Sequence, residues 1–253
     1  SLSRKLIRAS QKIIEACASS TDEKQTLAFA EKSIYDISRQ TDRSSLKGMQ
    51  EENVVDGVLK KFESLSLDKN AYRGVETGFR RFDQLTNGLQ KSDLIVLAAR
   101  PGVGKTSFSM NIVEHAAMCN HKVCAVFSLE MPRAQIVQRL LCSYANVSMA
   151  KALSGELSAP DWKKLIDAAE RLKDAPIYVD DSSRTTPSEI ESKCRRLKAK
   201  TGALDLIMID YIQLMSGGDS KLAGAENRQQ EIASITRDLK IIAKELEVPV
   251  IAL

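Results

Sequence analysis

"LIVLAARPGVGKTSFSMNIV", residues 94–113, decides how the rest of the chain is read. An apolar run passes into a glycine-containing loop and then into an amphipathic segment. That is the pattern of a strand, a phosphate-binding loop and a helix. Gly102 and Gly104 let the backbone curl so that successive N–H groups face one point, and the following helix adds its positive terminus. Lys105 is placed to reach terminal phosphates, and the Thr106 hydroxyl to coordinate Mg²⁺. The loop departs from the general G-x-x-x-x-G-K-[ST] pattern at Ala99, where a glycine is usual. The departure is tolerable if Ala99 ends the strand in an ordinary β conformation, because only a positive φ demands glycine. Arg100 and Pro101 then stiffen the turn ahead of Gly102, Val103 and Gly104. The ligand implied is a nucleotide.

Outward from the loop, apolar runs alternate with amphipathic helices. Strands are expected over 94–99, 123–128, 177–180, 204–210 and 248–253. Helices are expected over 105–118, 133–145, 187–200 and 226–244, with a pair of short ones reaching 172. Thr186-Pro187-Ser188-Glu189 marks one helix start as a capping box with proline at the first helical position. This alternation defines an α/β fold with a mainly parallel sheet and helices on both faces.

The first 65 residues read differently, as helices only. Leu6, Ile7, Ile13, Ile14 and Cys17 recur at helical spacing. Ser20 and Glu23 offer a capping box for a second helix carrying Leu27, Ala30, Ile34 and Ile37. A polar linker follows, "RQTDRSSLKGMQEEN", and then a helix over 53–66 with Val54, Val55, Val58, Leu59, Phe62 and Leu65 in one stripe. Gly57 inside it costs about 1 kcal/mol relative to alanine. The division is thus a helical hairpin over 1–40, a linker with its helix over 41–73, and an α/β domain over 74–253.

Bulk properties narrow the class. The chain has 253 residues, is 43% apolar and 28% charged, and carries a net charge of +4, an ordinary globular composition. Five scattered cysteines without a C-x-x-C pair read as reduced thiols of a cytosolic protein, and two histidines are too few for a histidine-based metal centre. No apolar run reaches the roughly 18 residues of a membrane span, and no signal peptide precedes the first charged helix.

In a parallel sheet, ligands collect beyond the carboxyl ends of the strands. "LDLIMID" brings Asp210 to such an end after a continuous apolar run, as metal-water coordination requires. "APIYVDD" brings Asp180 and Asp181 to another and is the rival; the more uniformly apolar strand favours Asp210. Hydrolysis also needs a carboxylate that orients and deprotonates water. "CAVFSLEM" places Glu130 just past a buried strand, where it is either that base or a solvated residue of the following helix's first turn.

The stretches "RGVETGFRRFDQLTNGLQKSDLIVLAARPGVGKTSF", "VFSLEM", "LIMIDYIQLM" and "ENRQQEIASITRDLKIIAKELEVPVIAL" closely resemble, in order and spacing, the motor domain of DnaB-type replicative helicases. The resemblance covers 74–253 and extends more weakly over the amino-terminal helices. It implies a RecA-like core in a hexameric ring. In that family the loop itself reads A-R-P-x-x-G-K-T, so Ala99 is the normal residue there. Carried over residue by residue, it implies that Lys105 and Thr106 serve phosphate and Mg²⁺, and that Asp210 holds the metal's water shell. Glu130 becomes the catalytic base and Arg139 couples to the γ-phosphate. "SGGDSKLAGAENRQQ" falls where the family has a loop facing the central channel, which brings Lys221 and Arg228 to single-stranded DNA phosphates. The resemblance also implies ATP as nucleotide, a homo-hexamer held partly by the linker helix, and primase and a helicase loader as partners. The sequence ends at Leu253, where the family continues with a γ-phosphate sensor, a further DNA loop and an arginine finger, so a piece of a longer helicase is expected. The competing reading is a RecA-like ATP-binding switch or ring scaffold without unwinding activity. A small GTPase is disfavoured, since no N-K-x-D motif occurs.

Overall fold

The computed structural model describes residues 2–19, 26, 29–31, 33–34, 53–68, 73–100, 102–215 and 225–253. It divides into two compact units, Ser1–Tyr72 and Arg73–Leu253. In the first, α1 spans Leu2–Ser19 and α2 spans Val54–Leu67. No residue of α2 is buried, and its stripe of Val55 and Phe62 is 54% and 58% exposed. The expected capping box at Ser20 and Glu23, together with Leu27, Ile37 and the polar linker, lies outside the described residues.

The second unit begins with α3 (Arg80–Thr86) and is organised by a parallel sheet. Its strands are β1 (Leu94–Val96), β2 (Cys124–Ser128), β3 (Ile177–Asp180), β4 (Leu206–Asp210) and β5 (Val250–Ala252), in the order β1-β5-β4-β2-β3. The central strands are buried along their whole length, which is why β2 and β4 read as unbroken apolar runs rather than alternating ones. Successive residues still serve opposite faces. Ala125, Phe127, Ile207, Ile209, Val250 and Ala252 belong to one core cluster, while Cys124, Val126, Leu206, Met208 and Ile251 belong to the other.

Each face is closed by its own helices. On the first lie α8 (Pro187–Thr201), through Ile190 and Cys194, and α9 (Ala225–Leu246), through Ile235, Leu239 and Ile242. On the second lie α4 (Lys105–Glu114), through Met110, Ile112 and Val113, and α5 (Arg133–Tyr144), through Ile136 and Leu140. A fully buried Leu or Ile contributes about 1.5–3 kcal/mol, so these two apolar layers dominate the stability of the unit. Between α5 and β3 come α6 (Met149–Ser154) and α7 (Ala159–Lys173).

The capping box expected at Thr186 and Glu189 is present, with Pro187 in the first turn. Other boundaries shift. The strand expected over 94–99 stops at Val96, because β1 pairs only with β5, whose register ends at Ala252. Leu97 still donates its N–H to the Ala252 carbonyl at 2.9 Å, and the chain then turns off the sheet. The last strand is likewise shorter than 248–253. The second of the two expected short helices, α7, is 15 residues long and starts at its own capping box, Ser158 with Asp161. Past Glu114 the helix continues as a π-helical turn, His115–Cys119. The five cysteines are all unpaired, and burial pushes the thiols of Cys124 and Cys194 up to about 12. No helix among the described residues is long and apolar enough to cross a membrane.

Candidate nucleotide site

The loop after β1 takes its shape from two glycines. Gly102 has φ 81° and Gly104 φ 100°, a region that a side chain rarely enters, and Gly104 opens α4 at its amino end. A Cβ at either position would meet nothing within 4 Å, so backbone conformation and not crowding requires glycine here. Val103 closes the turn by donating its N–H to the Arg100 carbonyl at 3.3 Å. Ala99 is not among the residues with positive φ, as the tolerance argument requires. Pro101 lies outside the described residues.

The start of α4 carries Lys105 and Thr106, and the end of β4 carries Asp210. The Thr106 hydroxyl donates to Asp210 Oδ2 at 2.8 Å, joining the loop to β4 across the intervening strand β5. Asp210 is only 2% exposed, and its Oδ1 has no hydrogen-bond partner among the described residues. Burial, the largest influence, pushes this carboxyl above its ordinary range. The Thr106 hydrogen bond and the charge of Lys105 oppose burial, the charge of Glu130 adds to it, and that of Arg139 opposes it. Lys105, Glu130 and Arg139 therefore all lie within electrostatic reach of Asp210. An orphaned, buried carboxylate oxygen beside a threonine hydroxyl fits a hydrated divalent cation.

Two residues that the motifs did not single out hold this arrangement. Tyr211 places its ring under Lys105, with Nζ 5.2 Å from the ring centroid. Ser128 fixes the turn that carries Glu130: its hydroxyl donates to the Met131 carbonyl at 2.8 Å and accepts from the Met131 N–H at 3.2 Å. Leu129 N–H adds a bond to the Asp210 carbonyl at 2.7 Å, so the Glu130 turn and the acidic end of β4 are one rigid piece. Glu130 itself is exposed. A tyrosine beside the acidic strand end, and a serine closing an apolar run, are the only sequence signals for the pair.

The rival carboxylates have other partners. Asp180 is paired with Lys193 and accepts from the Ser182 N–H at 3.0 Å. Although burial works against its charge, these bonds hold its carboxyl below the usual range. Asp181 accepts from the Arg133 N–H at 2.9 Å, capping the helix that bears Arg139. Lys221 lies outside the described residues; Arg228 falls in the first turns of α9, and its side chain is not described.

Burial of an ionised Asp210 has a consequence for the protein without ligand. Below the unfolded carboxylate pKa of about 4 the group is neutral in both states and costs nothing. As pH rises through its raised folded value, the ionised form becomes a destabilising load. Asp210→Asn is therefore expected to raise the nucleotide-free melting midpoint at pH 7, by about 2–4 °C per kcal/mol removed. The gap should close as pH falls toward the carboxylate range. A lower midpoint for the variant, measured by calorimetry, would mean that this charge stabilises the fold.

A parallel sheet, a glycine loop leading into a helix, and a buried aspartate at the end of a neighbouring strand together define a P-loop nucleotide-binding protein of the RecA-like class. Residues 74–253 match the DnaB-like helicase C-terminal domain, and the chain belongs to that family. It is 41% identical over 255 residues to the replicative DNA helicase DnaC of Bacillus subtilis (strain 168), covering 100% of this chain and 55% of that protein. To the replicative DNA helicase DnaB of Geobacillus stearothermophilus it is 41% identical over 258 residues, again 100% and 55%. The chain thus spans about half the length of the curated relatives it matches. Among solved structures, "The Structure Of A DnaB-Like Replicative Helicase And Its Interactions With Primase" superposes with a TM-score of 0.77 at 27% identity, covering 100% of this chain and 56% of the other. A second solved structure, of an isolated ATPase domain, gives 0.73 at 28% identity, covering 81% and 71%.

Proposed function

We propose that this chain carries the ATP-hydrolysing motor of a replicative DNA helicase, which translocates on single-stranded DNA and unwinds duplex at a fork. The observation that carries the reading is the meeting of Lys105, Thr106, Asp210 and Glu130 at the carboxyl ends of β1, β4 and β2. The loop from Ala99 through Arg100, Pro101, Gly102, Val103 and Gly104 cradles the phosphates with backbone N–H groups. Lys105 binds the terminal phosphates, and Thr106 with Asp210 holds Mg²⁺, Asp210 through the ion's water shell. A magnesium ion that keeps its waters and binds phosphate needs no dedicated cage of protein carboxylates. When bound, it neutralises charge that develops on the phosphates. Glu130 accepts the proton of the attacking water, and Arg139 couples to the γ-phosphate.

Lys221 and Arg228 are the proposed DNA contacts. The unburied stripe of α2 is proposed to dock on a second copy, so that a homo-hexameric ring is held partly by exchanged helices. Family likeness supports both, and it also supports primase and a loader as partners.

ATP turnover of the intact protein, measured with and without single-stranded DNA, is the test. Strong stimulation by DNA is expected, and flat turnover would instead mean a switch or scaffold. Val55→Asp with Phe62→Asp introduces two charges into the α2 stripe. This double variant is expected to break the ring in sedimentation, to keep the α/β unit folded, and to lose the stimulation. A variant that still sediments as a full ring would show that the stripe does not hold copies together.

A further inference from the structure

The space between α4 and α5 plays no part in the reading so far. It is an open cavity of about 390 Å³ whose lining includes Ser107, Asn111, Glu114, Arg139 and Ser143. Ser107 follows Thr106 directly, so the cavity begins beside the nucleotide loop. At a rise of 1.5 Å per residue it reaches Glu114 about 10 Å further along the helix. Glu114 Oε2 is buried with no hydrogen-bond partner among the described residues. Burial pushes its carboxyl above the usual range, against a hydrogen bond from Ser143 and the charge of His115. A carboxylate in that condition is left without the cation that would offset its desolvation.

Among the lining residues, the full positive charge belongs to Arg139. Its side chain is exposed, and its charge also acts on Asp210 in the nucleotide site. Arg139 thus stands between two anionic environments, Glu114 at the far end of the cavity and the phosphate end of the nucleotide site. A guanidinium on a flexible stem, with five donors in a planar fork, satisfies a carboxylate or a phosphate equally well, but only one at a time.

We propose that Glu114 is a positioning residue for Arg139, giving the guanidinium a second seat in the α4–α5 cavity that competes with the γ-phosphate. The inference rests on the reading of Arg139 as phosphate-coupled. With the triphosphate gone, Arg139 retires to Glu114. Rebinding of a triphosphate must draw it back, so Glu114 weakens ATP binding and leaves ADP binding alone. For a partly exposed ion pair the effect is about two- to fivefold in affinity.

The experiment is equilibrium titration of the intact protein with fluorescent ATP and ADP analogues, with a thermal melt on every variant. Glu114→Gln is expected to tighten ATP about two- to fivefold with ADP unchanged. Glu114→Asp, which keeps the charge, is expected to stay near the parent affinity. Arg139→Gln is expected to weaken ATP, and in that background Glu114→Gln is expected to have no further effect, the signature of a coupled pair. If Arg139→Gln weakens ATP but Glu114→Gln does not tighten it, this inference falls and the role of Arg139 stands. An Arg139→Gln variant with undiminished ATP affinity overturns both. Equal shifts for ATP and ADP, or a Glu114 effect that persists without Arg139, would make Glu114 a packing residue and overturn the inference.

Discussion

Lys105→Ala is expected to abolish measurable ATP binding while leaving the protein folded. The side chain sits at the first position of α4, half-buried, with its ammonium over the Tyr211 ring and close enough to Asp210 to act on its charge. What anchors this helix lies further along, at Met110, Ile112 and Val113, which are buried in the apolar layer beneath the sheet. Alanine is also the best helix former, so the substitution does not unwind the turn it occupies. The loss falls on the ligand. Hydrogen bonds to charged groups contribute about 1.5–3 kcal/mol each, and a lysine bridging two phosphates makes more than one. At 1.4 kcal/mol per factor of ten, affinity drops by about a hundredfold or more. A fluorescent ATP analogue titrated against parent and variant, with a melt to show that both are folded, measures the effect. Undiminished affinity would remove the phosphate-loop assignment and most of the reading built on it.

The sequence carried the site better than its edges. Central strands announce themselves because both faces are covered: Leu206, Ile207, Met208 and Ile209 are each at most 1% exposed, and no polar residue is tolerated until Asp210. Edge β1 is a different case. Its apolar run continues to Ala99, but its length is set by where β5 stops pairing, a tertiary fact. The glycine loop, Thr106 and Asp210 were legible because each chemical role demands a particular residue type. Ser128 and Tyr211 were not, since a hydroxyl that ties down a turn and a ring that lies under a lysine are defined by contacts that no residue type announces. Choosing Asp210 over Asp180 could be argued from apolarity alone. What physically separates them is Lys193, one helix away, which occupies Asp180 and leaves Asp210 Oδ1 as the unpartnered oxygen.

Glu130→Gln should separate binding from chemistry. Glu130 stands exposed on a turn whose backbone is fixed on both sides, by the Ser128 hydroxyl and by the Leu129 N–H to β4. An amide of the same size therefore takes the same place without disturbing Lys105 or Thr106. The variant is expected to bind ATP as tightly as the parent. Turnover is another matter, because a glutamine cannot accept the proton of the attacking water. General-base catalysis contributes typically 10²–10⁴-fold, so hydrolysis is expected to slow by about a hundredfold or more. The glutamate's position makes this a sharper test than its exposure implies: its charge acts on Asp210, as that of a remote surface residue would not. Steady-state hydrolysis, read beside an equilibrium titration of the same preparation, distinguishes the outcomes. If turnover stays within a few-fold of the parent, Glu130 is a solvated residue ahead of α5. Asp180 and Asp181 would then have to be tried as the base, at the expense of the pairings with Lys193 and the Arg133 N–H that now hold them.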